Sequence, residues 1–289
     1  MPRLARALSC LLLLAAAPVR AAPPAGWTAP ITPFRVAGNL YYVGSKELAS
    51  WLVTTSEGHV LINSNLEESV PQICASIETL GFKLADVKVL LISQAHFDHV
   101  AGSAALLKLT GARYMVMDAD VPVVESGGKA DFAYSAHRYP AAKVDRVLHD
   151  GDVVKLGGTA LVAHLTPGHT RGCTTWTLDV EEGGRTLRAV IVGGPNVNPD
   201  PGFELVDNRL YPSIADDFAR GFRTLRGLEC DLFLGAHGAY FGMEEKLARA
   251  RAGAKDPFVD PAGYRKLVEE SERDFQGKLA AQKAAAAKE

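Results

Sequence analysis

Strands in two runs, each followed by helical segments, make this 289-residue chain an α/β protein of four layers, two β-sheets packed face to face with helices outside them. Three observations carry that expectation. Short β-rich runs bounded by turn residues recur along the chain. One run, residues 87–92, is so nearly all apolar that it must be covered on both faces. Stripes of helical period follow each group of strands. A composition 47% hydrophobic and 22% charged suits a chain that buries a large core.

Past a Pro-rich opening (Pro23, Pro24, Pro30, Pro33), strands are expected at residues 40–43, 51–54 and 59–62, the last begun by Glu57-Gly58. Residues 69–80 predict a helix, with Val70, Ile73, Ile77 and Leu80 on one stripe and Gly81 as its stop. The buried strand 87–92 is followed by a helix over 101–109 and a strand over 114–117. Strands at 144–148, 153–156, 161–164, 174–180 and 186–192 are separated by Asp150-Gly151, Gly157-Gly158 and Gly183-Gly184. A helix over 214–225, a strand over 231–234, a helix over 243–252 and a last helix begun by Asp260-Pro261 close the chain. No linker, repeat or charge block divides residues 22–289, which read as one domain.

Arg3 and Arg6, the apolar stretch 7–17 and the small residues around Val19-Arg20-Ala21 have the form of a secretory leader over residues 1–21, so export to the periplasm is expected. That apolar stretch is well short of the ~20 residues that span a bilayer, and no membrane partner is expected. With 31 basic against 33 acidic residues the formal charge is −2, which implies no surface for nucleic acid. Cys10 leaves with the leader. Cys74, Cys173 and Cys230 are odd in number and lack CxxC spacing, so neither a zinc ribbon nor a disulfide framework fits. One bridge is possible and none is required; small, partly buried apolar side chains are the plainer reading.

The chemistry concentrates in three loops. Directly after the buried strand comes Ser93-Gln94-Ala95-His96-Phe97-Asp98-His99, at the strand end where α/β proteins place their sites. His169 stands in Thr166-Pro167-Gly168-His169-Thr170, and His237 in Gly235-Ala236-His237-Gly238, each after a strand. Four imidazoles and one carboxylate delivered by such loops are the donors a zinc site needs, and suit Zn2+ better than Ca2+ or Mg2+. His59, His137, His149 and His164 lack that context and are assigned no role.

These loops, together with Arg171-Gly172-Cys173-Thr174-Thr175-Trp176 and Ala239-Tyr240-Phe241, resemble the metallo-β-lactamase superfamily, and more narrowly the class B β-lactamases of subclass 3. The resemblance runs from about Ile31 to the C-terminal helix. It implies an αββα sandwich with metals in the groove between the sheets' edges. It also implies a first zinc site of Gln94, His96 and His169 and a second of Asp98, His99 and His237, with one or two Zn2+ per chain. Gln94 departs from the family pattern, which usually has a histidine there. A neutral amide oxygen is a weaker zinc ligand than imidazole, so the first site should bind metal less tightly.

The implied activity is hydrolysis of a small-molecule β-lactam by a chain acting as a monomer. A metal-activated water would open the ring, with Asp98 orienting it. No S-x-x-K with a K-T-G partner and no G-x-S-x-G supports a serine route. Related enzymes often bind the substrate carboxylate with Ser on the loop where this chain has Asn196 and Asn198. Those two could donate to it, or could simply serve the turns beside Pro195 and Pro199. Ser213 and Tyr240 are further candidates. The alternative is a zinc hydrolase of a lactone or thioester. Such relatives usually resemble one another in a Gly-Asp step after the strand equivalent to 186–192, where this chain has Gly193-Gly194, and only a short tail follows His237. A non-catalytic binding protein on the same fold is a third possibility, opposed by five unaltered ligand positions.

Overall fold

The computed structural model describes residues 23–288; the leader expected over residues 1–21 lies outside them. Antiparallel strands β1 (Phe34–Ala37), β2 (Leu40–Tyr42), β3 (Trp51–Thr55) and β4 (Gly58–Ile62) form the first half of a seven-stranded sheet. Its second half, β5 (Val87–Leu91), β6 (Arg113–Met117) and β7 (Arg146–Leu148), is parallel. Parallel neighbours need long crossovers. These contain α1 (Val70–Thr79), then α2 (Phe97–Val100) and α3 (Ser103–Thr110), then α4 (Val121–Glu125).

The second sheet has five strands in the order β12-β11-β10-β9-β8. Its members are β8 (Val153–Leu156), β9 (Thr159–Leu165), β10 (Thr174–Glu182), β11 (Arg185–Val192) and β12 (Leu232–Gly235). Gly157-Gly158 and Gly183-Gly184 each make a two-residue hairpin with both φ values positive (50° and 84°, 58° and 76°). That geometry matches the twist of the flanking strands and requires residues without a Cβ penalty. Helix α5 (Ile214–Gly227) makes the crossover into the parallel strand β12, and α6 (Met243–Arg251) and α7 (Pro261–Ala286) complete the chain.

Trp51, Trp176, Tyr42 and Met115 belong to a large buried cluster fed by both sheets, which also takes in Phe218 and Phe222 of α5 and Phe275 of α7. Val70, Ile73, Ile77 and Leu106 of α1 and α3 join Leu61 and Leu90 in a second cluster. Two indoles tie the sheets together: Trp51 Nε1 donates to Gly235 O at 3.2 Å and Trp176 Nε1 to Ile92 O at 2.9 Å. A buried indole N–H needs an acceptor, and both of these are found just ahead of the segments that carry Gln94 and His237. Cys74, Cys173 and Cys230 are free thiols. The expected strands and helices form with shifted ends. Strand β1 and helices α2 and α4 are additional: β1 is a four-residue edge strand, α2 a four-residue helix, and α4 a five-residue helix opened by Pro122. All three are too short for a periodic signal. Among the described residues, no helix is long and apolar enough to cross a membrane.

Candidate metal centre

The loop after β5 is fixed by a corner of left-handed backbone, a conformation Asn tolerates better than most residues. Asn63 (φ 68°) accepts Ser93 N on its Oδ1 at 2.8 Å, while Ser64 N and Asn65 N (φ 54°) donate to His99 O at 3.0 and 3.2 Å. Gly102 follows because a Cβ there would stand 2.6 Å from Ser64 O. The short helix α2 is thereby pinned with Asp98 and His99 in its first turns, both buried. His237 is delivered from the other sheet. Its backbone bridges to Leu48, and Gly238 N donates to Glu47 O at 2.8 Å.

Asp98, His99 and His237 converge. Asp98 Oδ2 lies 3.3 Å from His99 Nε2 and 3.4 Å from His237 Nε2, and the two Nε2 atoms are 3.1 Å apart. Two donors bound tetrahedrally to one zinc at ~2.0–2.1 Å stand about 3.3 Å apart, so this triangle already has the size of a zinc site. Burial pushes the Asp98 carboxyl upward, but the imidazoles of His99 and His237 outweigh it and hold the group well below the ordinary range. Burial lowers His99 to about 3, so its ring is neutral and its lone pair available.

Gln94, His96 and His169 form a second group beside the first. The rings of His96 and His169 are 4.9 Å apart, and burial drives His96 well below its ordinary value and His169 to about 4. His169 Nδ1 is 2.7 Å from Asn196 O, an N–H donation that leaves Nε2 as the free donor. Gln94 Oε1 and Nε2 and His96 Nε2 are buried with no hydrogen-bond partner, and the nearest carboxylate to His96 Nε2, that of Asp131, is 3.9 Å away. Unpaired buried polar atoms cost about 1–3 kcal/mol each, so their clustering at one wall fits residues that hold an ion. The donor set is suitable for zinc at both positions.

These groups open into a cleft of about 420 Å3. Trp27, Phe97, Tyr134, His137 and Tyr240 wall it, with Asn196, Asn198 and Asp200 along one side. Phe97 stacks on His137 at 4.2 Å, and Trp27 lies 6.2 Å from the His237 ring. Asn196 Nδ2 donates to Tyr240 Oη at 3.4 Å; Asn198 Nδ2 donates to Tyr134 Oη at 2.8 Å, which in turn donates to Asp200 at 2.6 Å. Helix α7 braces this loop: Lys278 Nζ donates to Val197 O at 2.7 Å, and Gln282 Oε1 accepts Leu205 N at 2.6 Å.

Of the expected residues, His96, Asp98, His169, His237, Asn196, Asn198 and Tyr240 line the cleft, His99 closes on Asp98 and His237, and Gln94 is buried two residues before His96. Ser213 is not. It begins α5 outside the cleft lining, where its hydroxyl is turned to Asp217 Oδ2 at 2.7 Å. His137, assigned no role from sequence, is a cleft residue, and Trp27, Tyr134 and Asp200 went unnoticed. Trp27 sits in a Pro-rich segment and Tyr134 in an irregular stretch, and neither context carries a periodic or motif signal.

Residues 49–182 match the metallo-β-lactamase superfamily. The chain is similar to native FEZ-1 metallo-β-lactamase from Legionella gormanii, at 51% identity over 89% of this chain and 98% of that one, with a TM-score of 0.86. BJP-1, a subclass B3 metallo-β-lactamase of Bradyrhizobium japonicum, is 36% identical over 91% of this chain and 98% of its own, with a TM-score of 0.84. A probable metallo-hydrolase of Burkholderia pseudomallei is 31% identical over 136 residues, 46% of this chain and 45% of that relative, so the match spans less than half of its length.

Proposed function

The chain belongs to the metallo-β-lactamase superfamily, and from that premise we propose that it hydrolyses the amide bond of a β-lactam ring with zinc held by Gln94, His96, His169, Asp98, His99 and His237. The observation that carries the reading is the clustering of Asp98, His99 and His237 beside His96 and His169, with four of these five side chains lining one aromatic-walled cleft and the unpartnered Gln94 amide buried two residues before His96. When bound, zinc would lower the pKa of a coordinated water toward neutrality and polarise the lactam carbonyl.

The residues themselves supply the rest. Asp98 stays ionised, so its carboxylate can accept a hydrogen bond from the attacking water and orient it as oxygen adds to the carbonyl carbon, the water gives up its proton and the C–N bond breaks. The ring nitrogen gains a proton in exchange, which balances the hydrolysis. Trp27, Phe97 and Tyr240 exclude bulk water and offer apolar faces to the substrate. No Lys or Arg is found among the residues lining the cleft, so a substrate carboxylate would rely on the Asn196 and Asn198 amides beside the metal centre. No Ser, Thr or Cys lines it either, so none of these can act there as a covalent nucleophile.

A lactone or thioester hydrolase is the lesser reading, and Gly194 weighs against it. A Cβ at this position would stand 2.7 Å from His169 Cδ2, so a carboxylate side chain bridging two metals cannot be built here without displacing a ligand. Export to the periplasm remains part of the proposal on the strength of the leader alone. The test is ring opening of a cephalosporin and a carbapenem by the purified protein, with zinc added in steps and a chelator control. Zinc-dependent, chelator-sensitive turnover is expected. No turnover of any β-lactam at saturating zinc, with turnover of a thioester or lactone, would overturn the assignment.

A further inference from the structure

One buried carboxylate outside both ligand sets touches the two loops that carry the first site. Asp120 ends the turn Asp118–Asp120 after β6 and is 1% exposed. Its Oδ2 accepts Ala95 N at 2.9 Å and Thr170 Oγ1 at 2.8 Å, and its Oδ1 accepts Gly172 N at 2.9 Å. Ala95 stands between Gln94 and His96, and Thr170 follows His169. A single side chain therefore joins all three first-site loop positions across sequence separations of 25 and 50 residues. The approach is close enough that a Cβ on Gly172 would come within 2.7 Å of Asp120 Cγ.

Among the described residues Asp120 has no ion pair with a basic side chain. A buried carboxylate without a cation is costly, and hydrogen bonds from three fixed donors are what make it tolerable. The first site has a particular need for such a clamp. Asp98 Oδ2 lies against both His99 and His237, whereas no shared side chain bonds Gln94, His96 and His169 to one another. Their spacing has to be imposed by the backbone that carries them, and the affinity of a metal site depends on that spacing being held.

We propose that Asp120 is the positioning residue of the first metal site, fixing the separation of Gln94 and His96 from His169 and thereby that site's affinity for zinc. The inference rests on the reading of those three residues as ligands. It predicts that removing the clamp weakens one metal equivalent and spares the other.

The experiment is a competitive titration of the chelated protein with zinc, repeated with cobalt(II), whose absorption reports each site separately. His169→Ala identifies the first-site equivalent. Asp120→Ala should weaken that equivalent by about 10- to 100-fold, while the second keeps its wild-type affinity. Asp120→Asn keeps an oxygen for Ala95 N and Thr170 Oγ1 and should restore most of the loss. Thr170→Val removes one of the three hydrogen bonds and should give a smaller loss at the same equivalent; with Asp120→Asn it carries the test if the alanine variant fails to fold. Unchanged affinity at the first equivalent, or equal weakening of both, overturns the proposal. A wild-type protein that takes up one equivalent at saturation, unaltered by His169→Ala, overturns instead the ligand assignment beneath it, and the proposal with it.

Discussion

At one half of the candidate metal centre Asp98, His99 and His237 close to within 3.1–3.4 Å of one another, whereas at the other Gln94 and His96 keep buried polar atoms with no hydrogen-bond partner in the protein. A shared side chain accounts for the contrast. The Asp98 carboxylate lies against both neighbouring imidazoles, so the second candidate site is held in part by contacts among its own residues. No shared side chain bonds Gln94, His96 and His169 to one another, so the first site is as good as the scaffold that holds it. Ligand count alone would rate the two sites equal, yet they should differ in how tightly they bind and in what disturbs them.

The largest break in this comparison should come from Asp98→Ala, which removes the carboxylate shared by His99 and His237 together with the group that orients the attacking water. Turnover of a cephalosporin is expected to fall by about a thousand-fold or more, the several kcal/mol of a lost metal function. Near-normal kcat in that variant would sink the mechanism. Gln94→His should sharpen the contrast from the other side. Supplying an imidazole is expected to tighten the first equivalent on the order of ten-fold and leave the second as it was. Identical zinc titrations for the variant and the parent would mean that Gln94 is not a ligand.

Trp27 packs beside His237 but offers no donor atom to either candidate site, so Trp27→Ala tests the cleft wall while every candidate ligand stays in place. Losing its apolar face should raise KM about five-fold at similar kcat, with both zinc affinities unchanged. A fall in kcat at constant KM would contradict the role given to it.

The smallest effect concerns an ion pair outside both ligand sets, Lys246 with Asp260 at 3.1 Å. Burial works against the Asp260 carboxylate, but the hydrogen bond from Gly263 N and the Lys246 ammonium prevail and hold its pKa below the ordinary 3.8. A lowered carboxylate contributes stability above its unfolded pKa and loses it as pH falls through the folded value. Asp260→Asn should therefore lower Tm by about 2–4 °C near pH 6, with the gap to wild type closing below about pH 4. A gap that stayed constant down to pH 3 would rule out the ion pair as its source.

Much of the fold could be read without coordinates because long elements carry their burial in their period. Residues 174–180 and 186–192 alternate or run apolar as strands do, and Ile214, Phe218, Phe222 and Leu225 mark the buried stripe of α5. Strand β1 and helices α2 and α4 escaped because four or five residues do not complete a pattern. The candidate ligands were legible for a different reason. His96, Asp98 and His99 fall in one short stretch after β5 whose residue types suit metal chemistry, so local sequence alone points to them. Ser213, directly after Pro212, carries no such restriction, and in the structure it begins α5 with its hydroxyl on Asp217.

What the sequence by itself determined is the donor chemistry and the order of strands that delivers it, since both are written in short, local patterns. Only the tertiary structure decided how those donors divide. It brought His237 from β12 to Asp98, left Gln94 and His96 without partners, and placed Asp120 where it can hold the loops of Gln94 and His169 together. It also drew Trp27, Tyr134 and His137 from unpatterned segments into one cleft wall. Contacts between residues tens of positions apart depend on how two sheets pack, and no window of sequence contains that distance.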